Sequence, residues 1–106
     1  MGGRPLLVLA LLSGAAADAN AQQPDPNLGR NLAAACANCH GTNGVSRAGM
    51  PALAGRDASE IARLIQDFTS GKRPATVMHQ IAKGYSAEQV ATIAAYFAAQ
   101  KAGDAR

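Results

Sequence analysis

The sequence predicts an all-α fold of four or so short helices in one small domain, and three observations predict it. Apolar residues recur at helical spacing, as in Ile61, Leu64, Ile65 and Phe68, and no stretch alternates apolar and polar residues as a strand would. Most glycines and prolines fall between the periodic stretches and so mark their ends. The 106 residues hold only two Tyr, two Phe and no Trp, too little bulk to fill a core unaided. Helices of this kind must wrap around something else that is apolar, or be stapled.

The elements follow in chain order. Arg4, the apolar run Leu6–Leu12 and the small-residue motif Ala19-Asn20-Ala21 read as a signal peptide over residues 1–21, cleaved before Gln22. The run falls short of the about 20 residues that cross a bilayer, and an uncleaved anchor is the competing reading. Residues 22–106 would then be one exported, periplasmic domain without a membrane span. Asp25 as a cap and Pro26 in the first helical position predict a first helix over about Asn27–Ala35, running into the cysteines. Its Leu28 and Leu32 lie four residues apart on one side. Gly41 to Gly55 is rich in turn formers and reads as a loop. Asp57-Ala58-Ser59-Glu60 is a capping-box variant opening a second helix, which Gly71 stops. Thr76 to Lys83 has room for one or two helical turns before Gly84. Ser86, with Gln89 three residues on, opens a last helix that places Val90, Ile93, Ala94 and Phe97 on one face and runs to about Lys101.

The strongest local signal is Cys36-Ala37-Asn38-Cys39-His40, the spacing of a c-type haem attachment site. Two thiols three positions apart can each add to a vinyl group of one porphyrin, and the next histidine can supply an axial nitrogen. One covalently bound haem c is therefore the expected cofactor, and it would supply the missing core volume. Structural zinc would need four ligands, and only His40 and His79 could join the two thiols. A thioredoxin-type CxxC would need a βαβ surround that is not in evidence, while a plain disulfide remains an alternative in an exported chain.

With His40 on one side of the iron, Met50, Met78, His79 and Lys83 are the candidates for the other. Met50 lies ten residues beyond His40 in a glycine-rich loop, whereas Met78 follows a whole helix that could carry the chain to the opposite face. Met78 is the favoured ligand. An iron-bound histidine normally donates its other ring N–H to a carbonyl, and that of Pro51 is suited to accept. Ten Lys and Arg against seven Asp and Glu give a net charge of +3, too scattered for a nucleic-acid footprint. Lys83 is the only charge between Thr76 and Ser86, so the rim around Met78 is expected to be mainly apolar, with His79, Gln80 and Tyr85 facing a partner.

In this order of features the chain resembles the class I cytochromes c from Leu28 to about Lys101. The resemblance implies that fold, wrapped around one haem, with Cys36 and Cys39 as thioether sites, His40 as proximal ligand, Pro51 as its carbonyl partner and Met78 as distal ligand. It also implies that Gly29 is the small residue where the first and last helices cross. The segment Thr76-Val77-Met78-His79-Gln80-Ile81-Ala82-Lys83-Gly84-Tyr85-Ser86, followed by Ala94-Ala95-Tyr96-Phe97, is similar to the cytochrome subunit of flavocytochrome c sulfide dehydrogenase in its monohaem form. The resemblance then implies an electron-transfer protein, itself not an enzyme, that takes electrons from the FAD of a flavoprotein and passes them to a soluble redox carrier. The same segment is similar to cytochromes of the c4 and c553 groups, which implies a free-standing electron shuttle instead. A haem sensor or peroxidase is a third reading.

Overall fold

The structure, a computed structural model, describes residues 2–5, 14 and 25–103. The apolar run and the cleavage site of the expected signal peptide lie outside these residues. The regular structure described is helical throughout: α1 (Leu28–His40), a 3₁₀ turn (Thr42–Gly44), α2 (Ala58–Ser70), α3 (Met78–Ala82) and α4 (Ala87–Ala98).

Two helices differ in extent from the sequence expectation. The first continues past Ala35 to His40, because the Ala-rich stretch before the cysteines contains nothing that breaks a helix. It also starts later. The Asp25 carboxylate accepts the Asn27 N–H at 2.8 Å and its carbonyl accepts the Leu28 N–H at 3.1 Å, so Asp25 and Pro26 form a turn ahead of the helix. The last helix stops at Ala98 and not near Lys101. Its Phe97 carbonyl accepts the N–H of Gly55 at 2.9 Å and of Gln100 at 3.1 Å, tying the end of α4 to the loop.

The other ends follow the local chemistry. Asp57 accepts the Ser59 and Glu60 N–H groups, while Glu60 lies 3.6 Å from the Arg56 guanidinium, an ion pair in place of the return half of a capping box. Ser86 and Gln89 make both halves of theirs, at 3.1 and 2.9 Å. Gly71 closes α2 in the left-handed conformation.

The core cluster is Ala33, Ile61, Ile93, Ala94 and Phe97, with Phe97 0% exposed. Burying a side chain of that size stabilises by roughly 2–3 kcal/mol. The first and last helices pack together, and α2 packs on both α3 and α4. At the α1–α4 crossing a Cβ on Gly29 would sit 3.2 Å from the Tyr96 Cβ, so the two backbones meet where the side chain is smallest. Gly44, at φ +78°, has the same closeness to Phe97: a Cβ there would come within 2.7 Å of its ring and 2.8 Å of the Ala54 nitrogen. The Gly44 carbonyl accepts the Leu53 and Ala54 N–H groups, which folds the loop after α1 over the core.

Candidate haem site

Extension of α1 to His40 puts the whole motif on its last turns, so Cys36, Cys39 and His40, at i, i+3 and i+4, share one helix face. Both cysteines are free thiols, Cys36 half-buried and Cys39 exposed. Burial pushes the Cys36 thiol up, and the neighbouring Cys39 adds to this against a backbone hydrogen bond that lowers it. His40 is 7% exposed, and its Nδ1 lies 2.7 Å from the Pro51 carbonyl oxygen. A carbonyl can only accept, so Nδ1 carries the proton and Nε2 holds the lone pair a metal would take. The Pro51 loop is itself held: the Ser46 hydroxyl donates to the Met50 carbonyl, and the Met50 N–H donates to that of Arg47.

Met78 opens α3 and is half-buried. That helix rests on α2, and no extensive contact joins it to α1, the arrangement expected if a flat group lay between the helices bearing His40 and Met78. Met50 is 39% exposed in the loop beside Pro51, and Lys83 is exposed on α3. His79 and Tyr85, expected to face a partner, are both half-buried. Tyr85 packs against the core, and the His79 Nδ1 is enclosed with no hydrogen-bond partner among the described residues. Val77, 55% exposed, is the apolar residue open to solvent beside Met78. Arg73 folds back so that it, His79 and Lys83 line one cavity, a grouping across ten positions that no local spacing signals.

These residues fit a c-type haem. Two free thiols and an oriented imidazole share a face, and Leu64, Phe68 and Ile81 are apolar yet only half-buried. Among the described residues no three His, Cys, Asp or Glu side chains gather as a metal-holding group, which leaves the zinc reading without a fourth or even a third ligand in place. No described helix is long and apolar enough to cross a membrane.

Fold and site together define a small c-type cytochrome. Residues 25–97 match the family described as cytochrome C oxidase, cbb3-type, subunit III, and the chain belongs to that cytochrome c family. It is 42% identical over 69 residues to the cytochrome subunit of sulfide dehydrogenase of Chlorobaculum tepidum, an overlap of 65% of this chain and 63% of the relative. It is 41% identical over 97 residues to the thiosulfate dehydrogenase electron acceptor of Stutzerimonas stutzeri, covering 89% of this chain and 45% of the relative. Cytochrome c-554(548) of Halomonas halodenitrificans is 35% identical over 81 residues, 73% of this chain and 98% of the relative. The chain thus spans less than two thirds of the first two relatives. The chain has the class I cytochrome c fold and the residues for one haem c.

Proposed function

We propose that this chain is an exported, periplasmic cytochrome that accepts single electrons from the flavin of a sulfide dehydrogenase-type flavoprotein and passes them to a soluble carrier. The observation that carries the electron-transfer site is the hydrogen bond from His40 Nδ1 to the Pro51 carbonyl at the end of the Cys-bearing helix. Cys36 and Cys39 would hold the haem as thioethers, His40 would ligate from one side and Met78 from the other. Pro51 fixes the imidazole's tautomer and plane, and a fixed ligand needs little reorganisation between oxidation states. The haem, when bound, supplies a one-electron iron couple whose potential a thioether ligand raises.

The 42% identity to a sulfide dehydrogenase cytochrome subunit supports the choice of donor. Arg4, the apolar run Leu6–Leu12 and Ala19-Asn20-Ala21 support export, with residues 22–106 as the working domain. A free-standing shuttle is the second reading, favoured by the Halomonas relative that this chain spans almost end to end. Co-purification with a flavoprotein across a salt series separates them. A subunit stays bound at about 0.5 M salt, where the screening length has fallen to roughly 4 Å; complete release there identifies a transient shuttle.

A further inference from the structure

We propose that Tyr96 is a positioning residue for the His40 imidazole, acting through Asn43 and the loop that carries Pro51. This role rests on the reading of His40 as the iron ligand, since only then does the hold on its ring matter to the potential. The Pro51 carbonyl oxygen lies 2.7 Å from the His40 Nδ1, yet Pro51 is exposed and belongs to no helix. Its place must come from what grips the chain on either side.

Two consecutive residues of α4 supply that grip. At one end of the loop the Tyr96 hydroxyl donates to the Asn43 Oδ1 at 2.5 Å, across 53 positions of sequence. At the other end the Phe97 carbonyl accepts the Gly55 N–H at 2.9 Å. Between them the Gly44 carbonyl accepts the Leu53 and Ala54 N–H groups at 2.9 and 3.2 Å, which fastens the stretch just after Pro51 to the residue next to Asn43. A shift of Asn43 therefore carries Gly44, its carbonyl and the Pro51 segment with it. Asn43 stands at φ 56°, ψ 19°, a left-handed conformation that asparagine tolerates through its short polar side chain. The buried Gly44 that follows has no side chain by which the turn could be held. The anchor is itself fixed. The Tyr96 Cβ lies 3.2 Å from where a Cβ on Gly29 would stand, and its ring meets that of Phe97 edge-on at 5.5 Å. The path thus starts near the beginning of α1, at Gly29, and returns to its last residue, His40.

Two variants cut this path without disturbing the packing. Tyr96→Phe removes the hydroxyl and keeps the ring, and Asn43→Gly removes the acceptor and keeps the left-handed turn. The measurement is hydrogen exchange in the ferrous holoprotein, followed by NMR. Each variant should speed exchange of the Leu53 and Ala54 amides and of the His40 Nδ1–H about three- to tenfold, the range that one net hydrogen bond spans. The double variant should add nothing further, because both changes remove the same bond. The midpoint potential should rise in each, since an imidazole with a looser acceptor is a poorer donor to ferric iron. Thr92→Val, which removes a hydroxyl bond to the Glu88 carbonyl on the same helix, should leave loop exchange and potential unchanged. Loop exchange that is unchanged, or that accelerates no more than the amide of buried Ile93, would overturn the proposal, as would additive effects in the double variant. Wild-type His40 resonances without the ring-current shift of an axial ligand would overturn the ligand reading and this proposal with it. That shift, present alongside unaltered loop exchange in Tyr96→Phe, would overturn this proposal alone.

Discussion

At the scale of single residues, the chemistry is concentrated on one imidazole and the carbonyl that holds it. Pro51 acts through its backbone oxygen, 2.7 Å from the His40 Nδ1, so its side chain is expendable in a way its position is not. Pro51→Ala should keep the haem spectrum and lower stability by about 0.5–1 kcal/mol, through a freer unfolded chain; visible absorption and thermal melts check both. Met78→Ala should abolish the long-wavelength band of thioether-ligated ferric iron. It should also lower the midpoint potential by on the order of 0.1 V, a fraction of the roughly 0.8 V that axial ligation spans. Met50→Ala should change neither, and the reverse pattern would move the ligand to Met50. The candidate cysteines and His40 stand out in the sequence because covalent attachment would need closely spaced residues, and the His40–Pro51 contact was legible because a histidine held for a metal needs a nearby acceptor. The cluster of Arg73, His79 and Lys83 was not, since its members come together only when the loop after α2 folds back on α3.

Among the elements, short helices depend on their ends more than on their length. Ser86→Ala removes the acceptor for the Gln89 N–H and should cost about 1 kcal/mol, a fall in Tm of roughly 4–8 °C for a domain of this size. Asp57 has its pKa held down by the Ser59 hydroxyl first, then by the Ser59 and Glu60 N–H groups. A lowered folded-state pKa gives stability that is present above the unfolded value, about pH 4, and lost as pH falls through the folded one. Thermal melts down the acid limb should therefore show Asp57→Asn with a flatter decline than wild type. Helix number and order were legible from caps and periodicity, and boundaries less so. The first helix outran its expected end because Ala37 and Asn38 offer no stop, and the last fell short because Gly55 claims a carbonyl of its final turn. Gly29→Leu probes the crossing that joins the two. With the Tyr96 Cβ only 3.2 Å from where a Cβ would begin, overpacking should cost about 1–3 kcal/mol, read by chemical denaturation.

For the whole molecule, the question is what makes the four described helices hold together. Among the described residues the buried apolar set is Ala33, Ala54, Ile61, Ala82, Val90, Ile93, Ala94 and Phe97, half of it alanine, with a single aromatic ring. At roughly 25 cal/mol per Å² of apolar surface removed from water, alanines contribute little against an ordering cost of about 1–2 kcal/mol per residue. The protein chain alone is thus close to the margin at which a small domain needs a staple. Leu64, Ile65, Phe68 and Ile81, apolar but half-buried, are the surface a porphyrin would cover, and Cys36 and Cys39 would keep it there in both oxidation states. Replacing both cysteines by alanine should therefore do more than remove a chromophore. The double variant, freed of non-covalent haem, should lose most of its helical circular dichroism at room temperature and be cleaved rapidly by protease. Each single variant, with one thioether left, should retain helicity and melt below wild type. A compact, protease-resistant apoprotein would mean that Phe97 and its neighbours suffice, and that the haem is cargo carried by the fold and not the larger part of its core.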